Sequence, residues 1–277
     1  MPEGPEIRRA ADRISKALIG KEIIESNFYY ERIKEMEEKV KNKNIKEITT
    51  KGKAMLIRFE NDWSMYSHNQ LYGRWTVNLN TTRVKSARAL RVVLKTKKHA
   101  VRLWSATDID LIPTSEEDEH PFLKKIGPDV LNESCSFELI EERLKSKNFH
   151  KKKAANLMLD QTFFAGLGNY LRSEILFDAK IHPDDRPFDL DKTQITQWAN
   201  SIKNISLLAY KTGGFTVSKS IAEKNKANGE SKRSYRHAVF MRNNYECLDC
   251  KSRIERKWYG KRKLDYCPSC QIQKAKV

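Results

Sequence analysis

The sequence predicts an α+β chain in three parts: a strand-rich N-terminal half behind one leading helix, a helical second half, and a short cysteine-bounded module. Three observations carry this. Short apolar runs separated by turn residues fill residues 22 to 112. From residue 136 the apolar spacing lengthens to three and four. Cys247, Cys250, Cys267 and Cys270 then form two Cys-x2-Cys pairs, with 16 residues between them, near the end of the 277-residue chain.

The leading helix is expected over residues 5–18. Ile7, Ala10, Ala11, Ile14, Ala17 and Leu18 share one stripe, and Gly20 supplies the stop. Strands are expected at Ile45–Thr49, Ala54–Phe59, Trp63–Ser67, Arg74–Val77, Leu90–Leu94 and Val101–Trp104, the spacing of a β-sandwich. A tight turn, Lys51-Gly52-Lys53, puts a lysine at a strand edge. The loop His68-Asn69-Gln70-Leu71-Tyr72-Gly73 puts an amide, an aliphatic and an aromatic at one tip. Such a tip either folds back onto the core or wedges into a base stack.

Residues 113–129 are acidic and punctuated by proline, ending in Gly127-Pro128-Asp129, which suggests a domain boundary. The expected parts are 1–125, a hinge at 126–135, a helical part at 136–236 and a four-cysteine module at 237–277. Helices are expected at 136–147, 151–164, 170–177 and 192–210. Asn169 stands where an N-cap belongs; its amide either makes that cap or, with the helix start, holds a phosphate. Residues 211–236 are polar and lysine-rich and read as a flexible loop or linker.

Charge narrows the partner. The 53 Lys and Arg outnumber 36 Asp and Glu, giving +17 and a pI near 9.6. That balance points to a polyanion, either nucleic acid or an anionic membrane surface. No apolar run approaches the ~18 residues a membrane span needs, and the N-terminus lacks a signal-peptide core, so nucleic acid leads. Four thiolates at this spacing indicate one structural zinc ion in a module too short to build its own core. Cys135 is left over as a small buried or inert thiol.

The first six residues, Met1-Pro2-Glu3-Gly4-Pro5-Glu6, carry the chemistry. Methionine before proline is normally removed, which exposes a secondary amine titrating near pH ~8. Such an amine is a nucleophile whose adduct collapses to a charged iminium, a strong electron sink. The start of the following helix disfavours its protonated form, and Glu3 and Glu6 supply carboxyl groups nearby.

These stretches together resemble the formamidopyrimidine-DNA glycosylase and endonuclease VIII family. The resemblance rests on Pro2–Glu6, Lys51–Lys53, Ser67–Gly73, Gly127–Asp129, Gly166-Leu167-Gly168-Asn169-Tyr170 and the four cysteines, and it runs the length of the chain. The N-terminal hexapeptide and the Gln70-Leu71-Tyr72 tip resemble the bacterial endonuclease VIII branch. The family implies a β-sandwich with flanking helices, a helix–two-turn–helix domain and a zinc finger, with double-stranded DNA held between the domains. By position, it implies Pro2 as Schiff-base nucleophile and Glu3 as proton donor. Lys53 would act in β-elimination, and Arg262 in δ-elimination or phosphate gripping. Gln70, Leu71 and Tyr72 would fill the gap left by an everted nucleotide, and Asn169 and Lys125 would contact phosphates. The family more often has arginine where Lys125 stands. The implied activity is removal of oxidised pyrimidines and cleavage at abasic sites, by a monomer in the bacterial cytoplasm, associated with the nucleoid. Two alternatives share much of this pattern: the purine-directed sister enzyme, and a zinc-containing DNA-binding protein without catalysis.

Overall fold

The computed structural model describes residues 2–274, and the chain divides into two compact units, Met1–Lys125 and Ile126–Val277. The first unit opens with α1 (Gly4–Leu18), whose buried side chains include Ile7, Ala10, Ala11, Ile14, Ala17 and Leu18. Three- and four-residue spacing places them on one face, as periodicity requires. Then come β1 (Glu25–Phe28), the short helices α2 (Glu31–Lys34) and α3 (Glu37–Val40), β2 (Ile45–Lys51), β3 (Ala54–Phe59) and β4 (Trp63–His68). β5 (Arg74–Leu79), β6 (Leu90–Lys95), β7 (His99–Trp104) and β8 (Asp108–Pro113) complete it.

Two antiparallel sheets result, ordered β1-β6-β7-β5 and β2-β3-β4-β8. Ile57, Phe59 and Met65 of one sheet and Val92, Leu94, Val101 and Leu103 of the other share a single buried core with α1. The unit is a β-sandwich. Two of its strands were missed by hydrophobic runs alone. β1 is four residues long, and three of the four are polar. In β8 the aspartates alternate with buried Ile109 and Leu111, and Pro113 ends an edge strand, where its missing N–H is tolerated.

The second unit holds α4 (Phe137–Lys145), α5 (Ala154–Leu157), α6 (Asn169–Asp178), α7 (Lys192–Thr212), α8 (Lys219–Ala227) and the hairpin β9 (Glu255–Tyr259) and β10 (Arg262–Tyr266). Ile140, Leu157, Phe163, Phe164, Leu171, Ile175, Trp198 and Ile202 form its core, and Leu264 and Tyr266 of the hairpin join them.

Two expectations need correction. The helix expected over 151–164 is the single turn α5. The chain breaks where the Asp160 carboxylate accepts the Thr162 N–H at 2.9 Å and its hydroxyl at 2.6 Å. The residues after it continue as turns while Phe163 and Phe164 stay buried, so apolar spacing alone imitated a helix. Residues 211–236 are also not a bare linker. α7 closes on Gly213 in the left-handed region at φ +85°, and Ser218 caps α8. Buried Asn225 donates to the Tyr235 carbonyl at 3.3 Å, and a buried Glu230–Arg242 pair at 2.8 Å fastens the chain beyond α8. Polar anchors of this kind leave no hydrophobic period to read.

The segment from Thr216 to Phe240 is tied to α6 through buried Glu174. Its carboxylate accepts the N–H groups of Ala238, Val239 and Phe240 at 2.7, 2.9 and 2.7 Å, and the Thr216 hydroxyl. Because that hydroxyl spends its proton on Glu174, the His237 Nδ1–H donates to Thr216 Oγ1, at 3.0 Å. Burial, helped by Arg236, pushes the His237 pKa down to about 3. An unfolded histidine titrates near pH ~6.5, so the folded chain binds fewer protons between these values. His237's contribution is complete above pH ~6.5 and is lost as pH falls toward 3, at about 1.4 kcal/mol per pH unit. Urea midpoints at pH 7 and pH 4 should therefore separate less in His237→Asn than in the parent chain. Equal separations would contradict the assignment.

Candidate functional site

The N-terminal corner is built on the start of α1. Glu3 is the N-cap residue and is only 3% exposed. Glu3 and Glu6 form a reciprocal capping box, with the Glu3 N–H donating to Glu6 Oε2 at 3.0 Å. The Glu3 carbonyl accepts the N–H groups of Glu6 and Ile7, each at 3.1 Å. Glu6, one of two carboxylates near the amine in the sequence, is thus engaged in holding the helix start. Pro2 lies one residue upstream of that cap and is half-buried. The start of α1 follows it in the chain, and the positive end of a helix would favour the neutral form of an amine exposed there. Met1, whose removal the chemistry requires, lies outside the described residues.

α1 packs against β2 and β3, the strands that flank the Lys53 turn. Gly52 takes the left-handed conformation there, at φ +64°, and Lys51 pairs with Ala54 to close a two-residue turn. Ala54 in turn pairs with His68, and His68 with Asp108 across the sheet. Burial holds the His68 pKa below its ordinary value; Asp108 opposes this and the Lys53 ammonium adds to it. Nδ1 of this neutral ring accepts the Gln70 N–H at 3.2 Å. A role for His68 in shaping the neighbouring tip was not legible from its sequence context.

That tip resolves the choice left open by its composition. Leu71 is 65% exposed and Tyr72 70%, so neither folds back onto the core. Gln70 sits at φ +47°, with its Oε1 accepting the Thr107 hydroxyl at 3.2 Å. The tip closes where the Gly73 N–H reaches the Asn69 carbonyl at 2.7 Å. A Cβ at Gly73 would stand 2.6 Å from Asn69 backbone atoms, so only glycine fits. Arg88 donates to the Tyr72 carbonyl from the side. Lys125, the last residue of the first unit, is exposed, with its N–H donating to the Phe122 carbonyl at 3.2 Å.

In the second unit Asn169 is the first residue of α6, and Gly168 is its N-cap. Asn169 is therefore not the cap, because its side chain points elsewhere. Nδ2 donates to the Lys263 carbonyl at 2.9 Å, and Oδ1 accepts from Arg172 at 2.7 Å. Arg262, an exposed residue, begins β10 opposite Tyr259, beyond the two-residue turn made by Gly260 and Lys261. Asn169 and the Arg262 hairpin thus meet through Lys263. Arg172, wholly buried, was overlooked; its signal was the polar triplet Arg172-Ser173-Glu174 set between the apolar residues Tyr170-Leu171 and Ile175-Leu176-Phe177.

Sγ atoms of Cys247, Cys250, Cys267 and Cys270 all lie within 4.8 Å of one another, and this four-cysteine cluster can hold a metal ion. The Cys247–Cys270 and Cys250–Cys267 separations are 3.8 and 3.4 Å. Tetrahedral thiolates at ~2.3 Å from a common ion stand about 3.8 Å apart, so the spacing fits. Cys135, by contrast, is buried alone in the helical core, where burial pushes its thiol pKa up.

Residues 1–107 match the formamidopyrimidine-DNA glycosylase N-terminal domain, and residues 126–220 match the formamidopyrimidine-DNA glycosylase H2TH domain. Endonuclease 8 of Shigella sonnei (strain Ss046) is 38% identical over 271 residues, covering 98% of this chain and all of that one. The chain belongs to the formamidopyrimidine-DNA glycosylase and endonuclease VIII family. Endonuclease 8 of Escherichia coli (strain K12 / DH10B) matches at the same 38% identity and coverage. Among solved structures, Lactococcus lactis formamidopyrimidine-DNA glycosylase bound to DNA containing an abasic site is 25% identical. It superposes with a TM-score of 0.79 over 98% of this chain and 100% of that one. The same enzyme with DNA containing an oxidised pyrimidine superposes at 0.80, with the same identity and coverage. The H2TH match spans the helices α4 to α7 of the second unit. Among the described residues no helix is long and apolar enough to cross a membrane.

Proposed function

We propose that this chain is a bifunctional DNA glycosylase and abasic-site lyase of base excision repair that removes oxidised pyrimidines from double-stranded DNA. The observation that carries the reading is the N-terminal corner: a proline one residue ahead of a buried glutamate at a helix N-cap, in a chain 38% identical over its length to endonuclease 8. The target base is unreachable inside a duplex, so the nucleotide is everted and the vacancy plugged. Gln70, Leu71 and Tyr72 are the plug, and their exposure suits them to it.

The Pro2 nitrogen, freed of Met1, bonds to the anomeric carbon as the bond to the base breaks, and the proton shed by the amine neutralises the departing base. Glu3 protonates the sugar-ring oxygen as the ring opens, leaving an iminium. That cation acidifies the adjacent C–H. Loss of the proton expels the 3′ phosphate, with Lys53 assisting, and a second elimination expels the 5′ phosphate, with Arg262 assisting. Asn169, Arg262 and Lys125 grip backbone phosphates. Zinc in the four-cysteine cluster is structural and holds the terminal module folded; every reacting group comes from a side chain or the amine. All these groups come from one chain, consistent with a monomer, and the substrate places the protein with the bacterial nucleoid in the cytoplasm.

Borohydride should trap a covalent adduct on a duplex containing thymine glycol; a matched 8-oxoguanine duplex should react more slowly, and the reverse order would favour the purine-directed relative. An abasic sugar is a hemiacetal that opens reversibly to its aldehyde unaided, so its attack by the amine does not depend on ring-oxygen protonation by Glu3. Glu3→Gln should therefore lower excision of the damaged base by about 10²–10⁴ while nicking at preformed abasic sites survives. Equal loss of both would remove Glu3 from the proton-donor role. Cys247→Ser should release zinc and weaken DNA binding, measured by metal content and anisotropy. Unchanged zinc with unchanged affinity would refute the cluster's role.

A further inference from the structure

Asn169 and Lys263, the neighbour of Arg262, lie 94 positions apart in sequence yet are fastened to one buried side chain. Arg172 follows Asn169 by three residues on the same face of α6, and its side chain is wholly buried. Nη1 donates to the Ala155 carbonyl of α5 at 3.1 Å. Nη2 donates to Asn169 Oδ1 at 2.7 Å and to the Lys263 carbonyl at 2.9 Å. Asn169 Nδ2 donates to that same carbonyl at 2.9 Å, closing a ring of three residues.

The guanidinium has no acceptor, so its bond fixes Oδ1 of Asn169 inward and settles which way the amide faces. One amide proton is then spent on Lys263, and the second remains for an external acceptor. The clamped carbonyl also belongs to the residue next to Arg262, so the hairpin carrying Arg262 is held at a set place relative to the start of α6. A planar fork reaches α5 with one nitrogen and the Asn169–Lys263 pair with the other; a lysine has only one nitrogen to offer.

We propose that Arg172 is a positioning residue for DNA binding, fixing the Asn169 amide and the Arg262 hairpin together as one preformed phosphate grip. The proposal rests on the proposed function, in which Asn169 and Arg262 contact the DNA backbone. Arg172 does not touch the reacting atoms, so its loss acts on affinity and leaves the formation of the Pro2 adduct alone.

The test uses Arg172→Met and Arg172→Lys in the full chain, with Asn169→Ala, Arg262→Ala and the double variant Asn169→Ala/Arg172→Met. Affinity for a duplex with a stable abasic analogue is read by anisotropy, the adduct-forming rate by borohydride trapping at saturating DNA, and integrity by melting. Arg172→Met should raise Kd by about tenfold or more, with the saturated rate within about threefold of the parent. Arg172→Lys should recover part of the affinity. In the Asn169→Ala background the methionine should cost much less than it does alone, because the two residues act through one grip.

Parent-like affinity in Arg172→Met, or a loss that simply adds to that of Asn169→Ala, would overturn the proposal. If the methionine variant fails to fold, Arg172→Lys decides: weakened affinity at a parent-like melting temperature supports the grip, and undiminished affinity overturns it. Should Asn169→Ala and Arg262→Ala both bind like the parent, the phosphate-contact reading itself fails. Weak binding by those two beside normal binding by both Arg172 variants sinks only the proposal.

Discussion

A chain terminus is ordinarily the least constrained part of a protein, and an amine is a catalyst only where it is both placed and neutral. In the proposed mechanism the constraint that supplies both is the capping box at the start of α1. Glu6 accepts the Glu3 N–H, Glu3 is buried at the cap, and Pro2 is left one residue from the positive end of the helix. The apolar stripe of α1 anchors this arrangement to the sandwich, because Ile7, Ile14 and Leu18 share its core. The hydrophobic face therefore sets where Pro2, the nucleophile of the proposed mechanism, stands, and the helix start would favour its free base.

The second unit solves a similar problem with buried charge. α6 carries Arg172 and Glu174 in an otherwise apolar environment, and each reaches outward to fix a distant segment. Glu174 gathers three successive backbone N–H groups at residues 238–240, while Arg172 gathers Asn169 and the Lys263 carbonyl. Leaving a buried charge without such partners costs several kcal/mol, so these bonds dictate local geometry strongly. One helix thus positions both the loop that precedes the cysteine cluster and the hairpin that belongs to it.

The readable parts of the sequence were those governed by a single period or a single composition. The α1 stripe, six strands and the two cysteine pairs are of this kind, since burial on one face and metal chemistry each leave a regular trace. β1 and β8 escaped because short, polar strands at or near an edge alternate without looking apolar. α5 was overdrawn because buried phenylalanines in a turn imitate helical spacing, and α8 was missed because its anchors are Asn225 and the Glu230–Arg242 pair. At the site, residue types at the N-terminus and the tip were legible, whereas the partners of Asn169 were not. Its bonds to Arg172 and Lys263 depend on a hairpin arriving from the far end of the chain, which no local pattern encodes.

The most direct test of the central claim is to map the borohydride-reduced DNA adduct to a residue by protease digestion and mass spectrometry. The mechanism predicts a deoxyribose remnant on the peptide spanning Pro2 to Arg8, with Met1 absent and the modification on the proline nitrogen. An adduct on Lys53 or any other lysine, or full activity in a chain that retains Met1, would contradict it.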